Sequence, residues 1–88
     1  MPEWILKRTD TFLDTLRKHK HNTELLNELD KKIQKLLENP LSIGGYLSGN
    51  LYGYKSTRLI RKFRLIFSID EKNKTVYLVA LDHRKDAY

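Results

Sequence analysis

The sequence predicts an α+β domain: an N-terminal strand, then a two-helix antiparallel hairpin packed on one face of a four-stranded, mainly antiparallel sheet. Three observations predict it. Leu25, Leu26, Leu29, Ile33, Leu36 and Leu37 recur at helical spacing. Residues 63–69, FRLIFSI, alternate, with Phe63, Leu65, Phe67 and Ile69 on one side and Arg64, Ile66 and Ser68 on the other. The helical patterns come first and the strand patterns follow in a run, the order that segregates helices to one face of an antiparallel sheet.

Taken in order, residues 3–9 (EWILKRT) read as the first strand. Thr9 or Asp10 supplies a side-chain oxygen to cap a first helix, whose Phe12, Leu13 and Leu16 share a face. KHKHN breaks the apolar pattern, and Asn22 or Thr23 caps the second helix. That helix ends at Asn39-Pro40, because a residue before proline avoids the helical region. LSIGGYLSGNLYG contains all four glycines of the chain and reads as a loop. It is no phosphate-binding P-loop, since it lacks the Lys-Ser/Thr ending and opens no helix. Strands follow at about residues 54–60, 63–69 and 75–82, with DEKNK as the turn between the last two. The last, TVYLVALD, is apolar on both faces and is expected inside the sheet.

With 88 residues the chain makes one domain, residues 1–88. A chain of this size buries roughly 60–65% of its unfolded surface, enough to fold alone with little core to spare. The absence of cysteine excludes disulfides and thiolate metal sites. No apolar run approaches the ~20 residues that span a bilayer, and MPEWILKRTD lacks the pattern of a signal peptide. The expectation is a soluble, cytoplasmic domain with no membrane partner.

The net charge is +6, and its distribution is uneven. Residues 1–40 carry eight bases and seven acids. From Asn39 to Ile69 there is no acid, while Lys55, Arg58, Arg61, Lys62 and Arg64 stand close together. A one-signed patch attracts a polyanion, but an ordinary basic surface has the same composition. If the helical stripe covers Phe63, Leu65, Phe67 and Ile69, Arg64 lies on the open face of the sheet. Lys55 and Thr57 share one face of their strand and join Arg64 only if that face is also the open one. Arg64 is also readable as a solvated strand residue. Tyr46, Tyr52 and Tyr54 suit loop packing, Tyr77 suits core or sheet surface, and Trp4 suits a core anchor. His19 and His21 flank lysines and are expected to be solvated, with no metal set around them.

From Leu47 to Tyr88 the chain resembles the C-terminal half of the RelE toxins of bacterial and archaeal toxin–antitoxin pairs. The resemblance runs through Leu47 and Gly49, then Tyr54-Lys55, then Phe63-Arg64-Leu65-Ile66-Phe67, and closes on His83-Arg84 and Tyr88. The strand-helix-helix front half fits as well. The resemblance implies a RelE-like, microbial-ribonuclease-like fold. It implies a metal-independent endoribonuclease, without cofactor, that cuts mRNA in the ribosomal A site by attack of a 2′-hydroxyl on the adjacent phosphate. A cognate antitoxin protein, mRNA and the ribosome are the implied partners.

Such a reaction needs a proton acceptor, stabilisation of the phosphorane charge and help for the departing 5′ oxygen. It also needs the nucleotide held splayed for in-line attack. Carried over by position, Lys55 is the candidate base or charge stabiliser, which requires burial or neighbouring cations to lower its pKa. Arg64 would grip the scissile phosphate. Arg84 would stabilise the transition state or the leaving oxygen, and Tyr88 would stack on or orient the substrate. His83 is added as an acid–base candidate because histidine titrates near neutrality, although strand alternation turns it away from Arg84. Arg58, Arg61, Lys62 and Lys85 are the candidate RNA-binding cations. Thr57 and Ser48 stand where some family members are basic. They keep open a non-catalytic RNA-binding module or a decayed toxin, and the related ParE branch, in which the same fold poisons DNA gyrase without cutting RNA, is a further alternative.

Overall fold

The computed structural model describes residues 3–47 and 53–83. Its elements are β1 (Ile5–Arg8), α1 (Asp10–Lys18), α2 (Thr23–Glu38), a 3₁₀ turn (Pro40–Ser42), β2 (Gly45–Tyr46), β3 (Lys55–Arg58), β4 (Phe63–Asp70) and β5 (Thr75–His83). The strands form one sheet in the order β1-β5-β4-β3-β2. β1 runs parallel to β5, and the other pairings are antiparallel.

The predicted class stands, with one strand more than expected. The glycine-rich stretch is not all loop, because Gly45 and Tyr46 pair with Ser56 and Lys55 as an edge strand. A two-residue strand is too short to leave a periodic signal. Its approach depends on Gly44, which adopts φ 73° against the Ser56 carbonyl, where a side chain would collide. The strand at residues 54–60 is shorter than expected and ends at Arg58. Arg61 takes φ 52° in the turn that follows, so the chain leaves the extended region there.

Both helix starts follow the capping logic. Thr9 accepts a hydrogen bond from the Phe12 N–H at 3.1 Å, and Asn22 accepts one from Leu25 at 3.1 Å. α2 ends at Glu38, and Asn39 before the proline is extended, at φ −157°. The α2 stripe buries Leu25, Leu29 and Leu36 completely or nearly so, with Ile33 packed at the margin. In α1 only Phe12 is buried. Leu13, expected on the same face, is exposed because it lies a ~100° step from Phe12 around a short helix.

The core joins Phe12 and the α2 leucines to Phe63, Leu65, Phe67, Val76, Leu78 and Leu81 on one face of the sheet. Trp4 and Leu6 pack against its edge. β5 lies inside the sheet between β1 and β4. It carries a bulge: Phe67 pairs with Leu78 but Ile66 pairs with Ala80, so Val79 is the extra residue. α1 fastens this bulge. The Thr9 hydroxyl donates to the carbonyls of Leu78 and Val79 at 2.9 and 3.1 Å. The Thr15 hydroxyl accepts the Leu81 N–H at 3.0 Å. The Val79 carbonyl and the Leu81 N–H thereby find partners in the helical layer.

Candidate functional site

Residues directly opposite in an antiparallel pair project to the same face, so the register places each candidate. Arg58 pairs with Arg64, and Arg64 with Asp82. These three form one row across β3, β4 and β5 on the face away from the helices. Ser56, Ile66 and Ala80 form the next row of that face. Ser68, Tyr77 and Lys7 follow beyond it. Tyr77 is a half-buried sheet-surface residue.

Arg64 is where the alternation puts it, but it is not solvated. Its Nε donates to Asp82 Oδ2 at 2.7 Å, with 21% of the Arg64 side chain and 37% of the Asp82 side chain exposed. A short charge-assisted bond at this burial fixes the guanidinium more firmly than an exposed pair would. Guanidinium has five N–H donors, and among the described residues Asp82 takes only the Nε–H, which leaves the terminal nitrogens able to meet a phosphate. Arg58 is exposed and makes no ion pair among the described residues. Two arginines opposite one another repel, and Asp82 offsets one of the two charges.

Lys55 is on the other face. It pairs with Phe67, is 3% exposed and points toward the helix side of the sheet. Its Nζ donates to the Leu41 carbonyl at 3.1 Å and lies 5.1 Å from the Tyr46 ring centroid and 6.0 Å from that of Phe67. The 3₁₀ turn supplies a carbonyl to the ammonium, and β2 and β4 supply one aromatic ring each. Thr57, opposite Leu65, shares this face and is buried. The condition for Lys55 to cluster with Arg64 is therefore not met, because the face of Lys55 and Thr57 is the covered one.

His83 also faces the helix side, opposite Phe63. Its ring stacks on that of Phe63 at 4.4 Å between centroids, and His19 meets the same Phe63 edge-on at 4.9 Å. His19 is therefore half-buried rather than solvated, because the C-terminus of α1 delivers it onto the first residue of β4. Arg61 is exposed and pairs with Glu24 of α2 at 3.3 Å. Lys62 is exposed in the same turn. Arg84, Lys85 and Tyr88 lie outside the described residues, as does Ser48. Among the described residues no group of three or more His, Asp or Glu is placed to hold a metal ion, and no helix is long and apolar enough to cross a membrane.

Two participants escaped sequence reasoning. The acid-free segment is acid-free only along the chain, since Asp82 and Glu24 reach Arg64 and Arg61 from other elements. Asp82 has no local signal. Counting back from the Asp70–Thr75 pair places Leu81 opposite Arg64, and only the bulge at Val79 brings Asp82 there. Tyr46, exposed by 69% yet lying against the Lys55 ammonium, is the other.

Two helices on one face of a five-stranded mixed sheet are the fold of the small RelE/ParE toxins. Three solved structures have the same fold. RelBE2, a toxin–antitoxin complex from Mycobacterium tuberculosis, matches with a TM-score of 0.78 at 28% identity over 96% of this chain and 100% of that one. The YoeB/ParE toxin of Agrobacterium tumefaciens matches with a TM-score of 0.79 at 15% identity, over 91% and 98%. YafQ of E. coli matches with a TM-score of 0.78 at 14% identity, over 93% and 94%. A relative named RelE4, from Methanocaldococcus jannaschii, is 31% identical over 84 residues, covering 96% of this chain and 86% of its own length. The model of the ParE toxin of type II toxin–antitoxin systems matches residues 6–88. The chain belongs to this family, within the RelE/ParE superfamily of type II toxins.

Proposed function

We propose that this toxin is a ribosome-dependent, metal-independent endoribonuclease that cuts mRNA in the A site and so stops translation in the cytoplasm. The observation that carries the reading is the half-buried Arg64 on the open face, held through Nε by Asp82, which leaves its terminal N–H groups to donate to a phosphate. In this reading Arg64 grips the scissile phosphate. Arg84 stabilises the charge that builds on the phosphorane or the leaving oxygen, and Tyr88 orients the substrate. Lys55 remains the candidate base or charge stabiliser. Because it faces the helices behind the edge strand β2, substrate or side chain must come round the β2 edge for it to act. His83 is an acid–base candidate approached from the helix side as well. Arg58, Arg61, Lys62 and Lys85 supply attraction for the RNA backbone.

The natural partner is an antitoxin whose helix packs between the toxin's helices and sheet and whose acids meet the basic patch. Solved relatives of this fold include complexes of toxin with antitoxin, RelBE2 and YoeB–YefM of Staphylococcus aureus. A second reading, inhibition of DNA gyrase, is favoured by the ParE description of the matching family.

Primer extension on a translated mRNA separates the two. Codon-phased cuts made by the wild-type protein and lost in Arg84→Ala support the ribonuclease. Intact mRNA alongside trapped gyrase cleavage complexes supports the second reading and overturns the first.

A further inference from the structure

The row Arg58–Arg64–Asp82 is an arrangement that folding alone does not favour. Two arginines stand directly opposite each other, and among the described residues only one carboxylate answers them. Asp82 is opposite Arg64 solely because β5 bulges at Val79. Without the bulge, Leu81 would take the open-face position and Asp82 would turn toward the core. The bulge is in turn held by Thr9 and Thr15 of the helical layer on the other side of the sheet. The shifted register thus presents one acid to one arginine, when leucine opposite Arg64 would leave the guanidinium free to swing.

We infer that Asp82 is a positioning residue for phosphodiester recognition. Its carboxylate takes the Nε–H of Arg64 and aims the two terminal nitrogens at one phosphate of a single-stranded RNA, and Arg58 contacts the same or the neighbouring phosphate. This rests on the reading that the open face meets RNA. Asp82 touches no substrate. It lowers the net charge of the face, so a purely electrostatic view predicts that its removal tightens RNA binding. The positioning view predicts the opposite wherever the hydrogen-bond acceptor is lost.

Asp82→Asn and Asp82→Ala remove the same charge, but only asparagine keeps an oxygen for the Arg64 Nε–H. The probe is a labelled single-stranded RNA fully methylated at its 2′ oxygens, which cannot be cut by 2′ attack, and binding is read by fluorescence anisotropy. The expected result is that Asp82→Asn binds within about twofold of wild type. Asp82→Ala should bind about five- to tenfold more weakly despite its extra positive charge, as should Arg64→Ala. Asp82→Leu, nearly isosteric with asparagine but without an acceptor, decides the matter if the alanine variant melts early; it should behave as alanine. Tighter binding by Asn, Ala and Leu alike would reduce Asp82 to a counter-ion and overturn the inference. Equal binding by all variants, or no binding by the wild type, would overturn it too. If binding follows the expected order while translated mRNA stays uncut, the assignment of Asp82 stands and the ribonuclease reading falls.

Discussion

Replacing Lys55 by methionine tests whether its buried ammonium is there for stability. The substitution keeps an unbranched stem of similar length and removes the charge. What is lost is one hydrogen bond from a charged donor to the Leu41 carbonyl, worth about 1.5–3 kcal/mol. The contact with the Tyr46 ring is lost as well, worth about 0.5–2 kcal/mol. What is recovered is the cost of keeping an ammonium 3% exposed with no carboxylate partner among the described residues, several kcal/mol for a buried ion. Leu41 is itself exposed, so water can take over its carbonyl. The opposing terms nearly cancel, and Lys55→Met should lie within about 1 kcal/mol of wild type, a Tm shift of less than about 8 °C for a domain this small. Lys55→Ala also loses the packed stem, about 2 kcal/mol for its methylenes, and should melt clearly below the methionine variant. Thermal and urea unfolding of the three proteins is the assay. A loss of 3 kcal/mol or more in Lys55→Met would refute the balance and make the ammonium a structural anchor of the 3₁₀ turn. Stability retained together with lost toxicity on expression would instead assign Lys55 to function.

Two further outcomes follow from the fold. Gly44→Ala should destabilise by at least about 2 kcal/mol, since φ 73° and the Ser56 carbonyl both reject a side chain; a melt within 2 °C of wild type would show that β2 shifts at no cost. Asp70 accepts hydrogen bonds from the Asn73 side chain and backbone, which hold its pKa below the ordinary 3.8. A depressed folded-state pKa adds stability that is fully present above the ordinary carboxylate value and fades as pH falls through the folded one. Asp70→Asn should therefore be less stable than wild type at neutral pH, and the gap should close on acidification below about pH 4, as read by melts across pH. A gap independent of pH would place the effect elsewhere.

Much of the fold was legible because it rests on short-range physics. Thr9 and Asn22 cap helices through oxygens only three residues from the N–H groups they satisfy. The α2 stripe and the alternation of β4 assign core and open faces by period alone, and Phe63, Leu65, Phe67 and Arg64 fell where those periods put them. Parity within a strand is likewise local, so Lys55 and Thr57 had to share a face. Which face they share depends on the turn between β3 and β4, whose length sets Lys55 opposite Phe67 and so under the helices.

The amino-acid order alone thus determined the helices, the alternating strands, the basic segment and the resemblance that leads to the toxin family. The tertiary structure alone decided which charges meet. An antiparallel register advances one residue per residue, so a single bulge at Val79 exchanges the faces of everything between it and the end of β5. That bulge is held by side chains some 70 positions away in sequence, Thr9 bonding Leu78 and Val79. It turns Leu81 into the core and Asp82 onto Arg64, a contact that no pattern within either strand encodes.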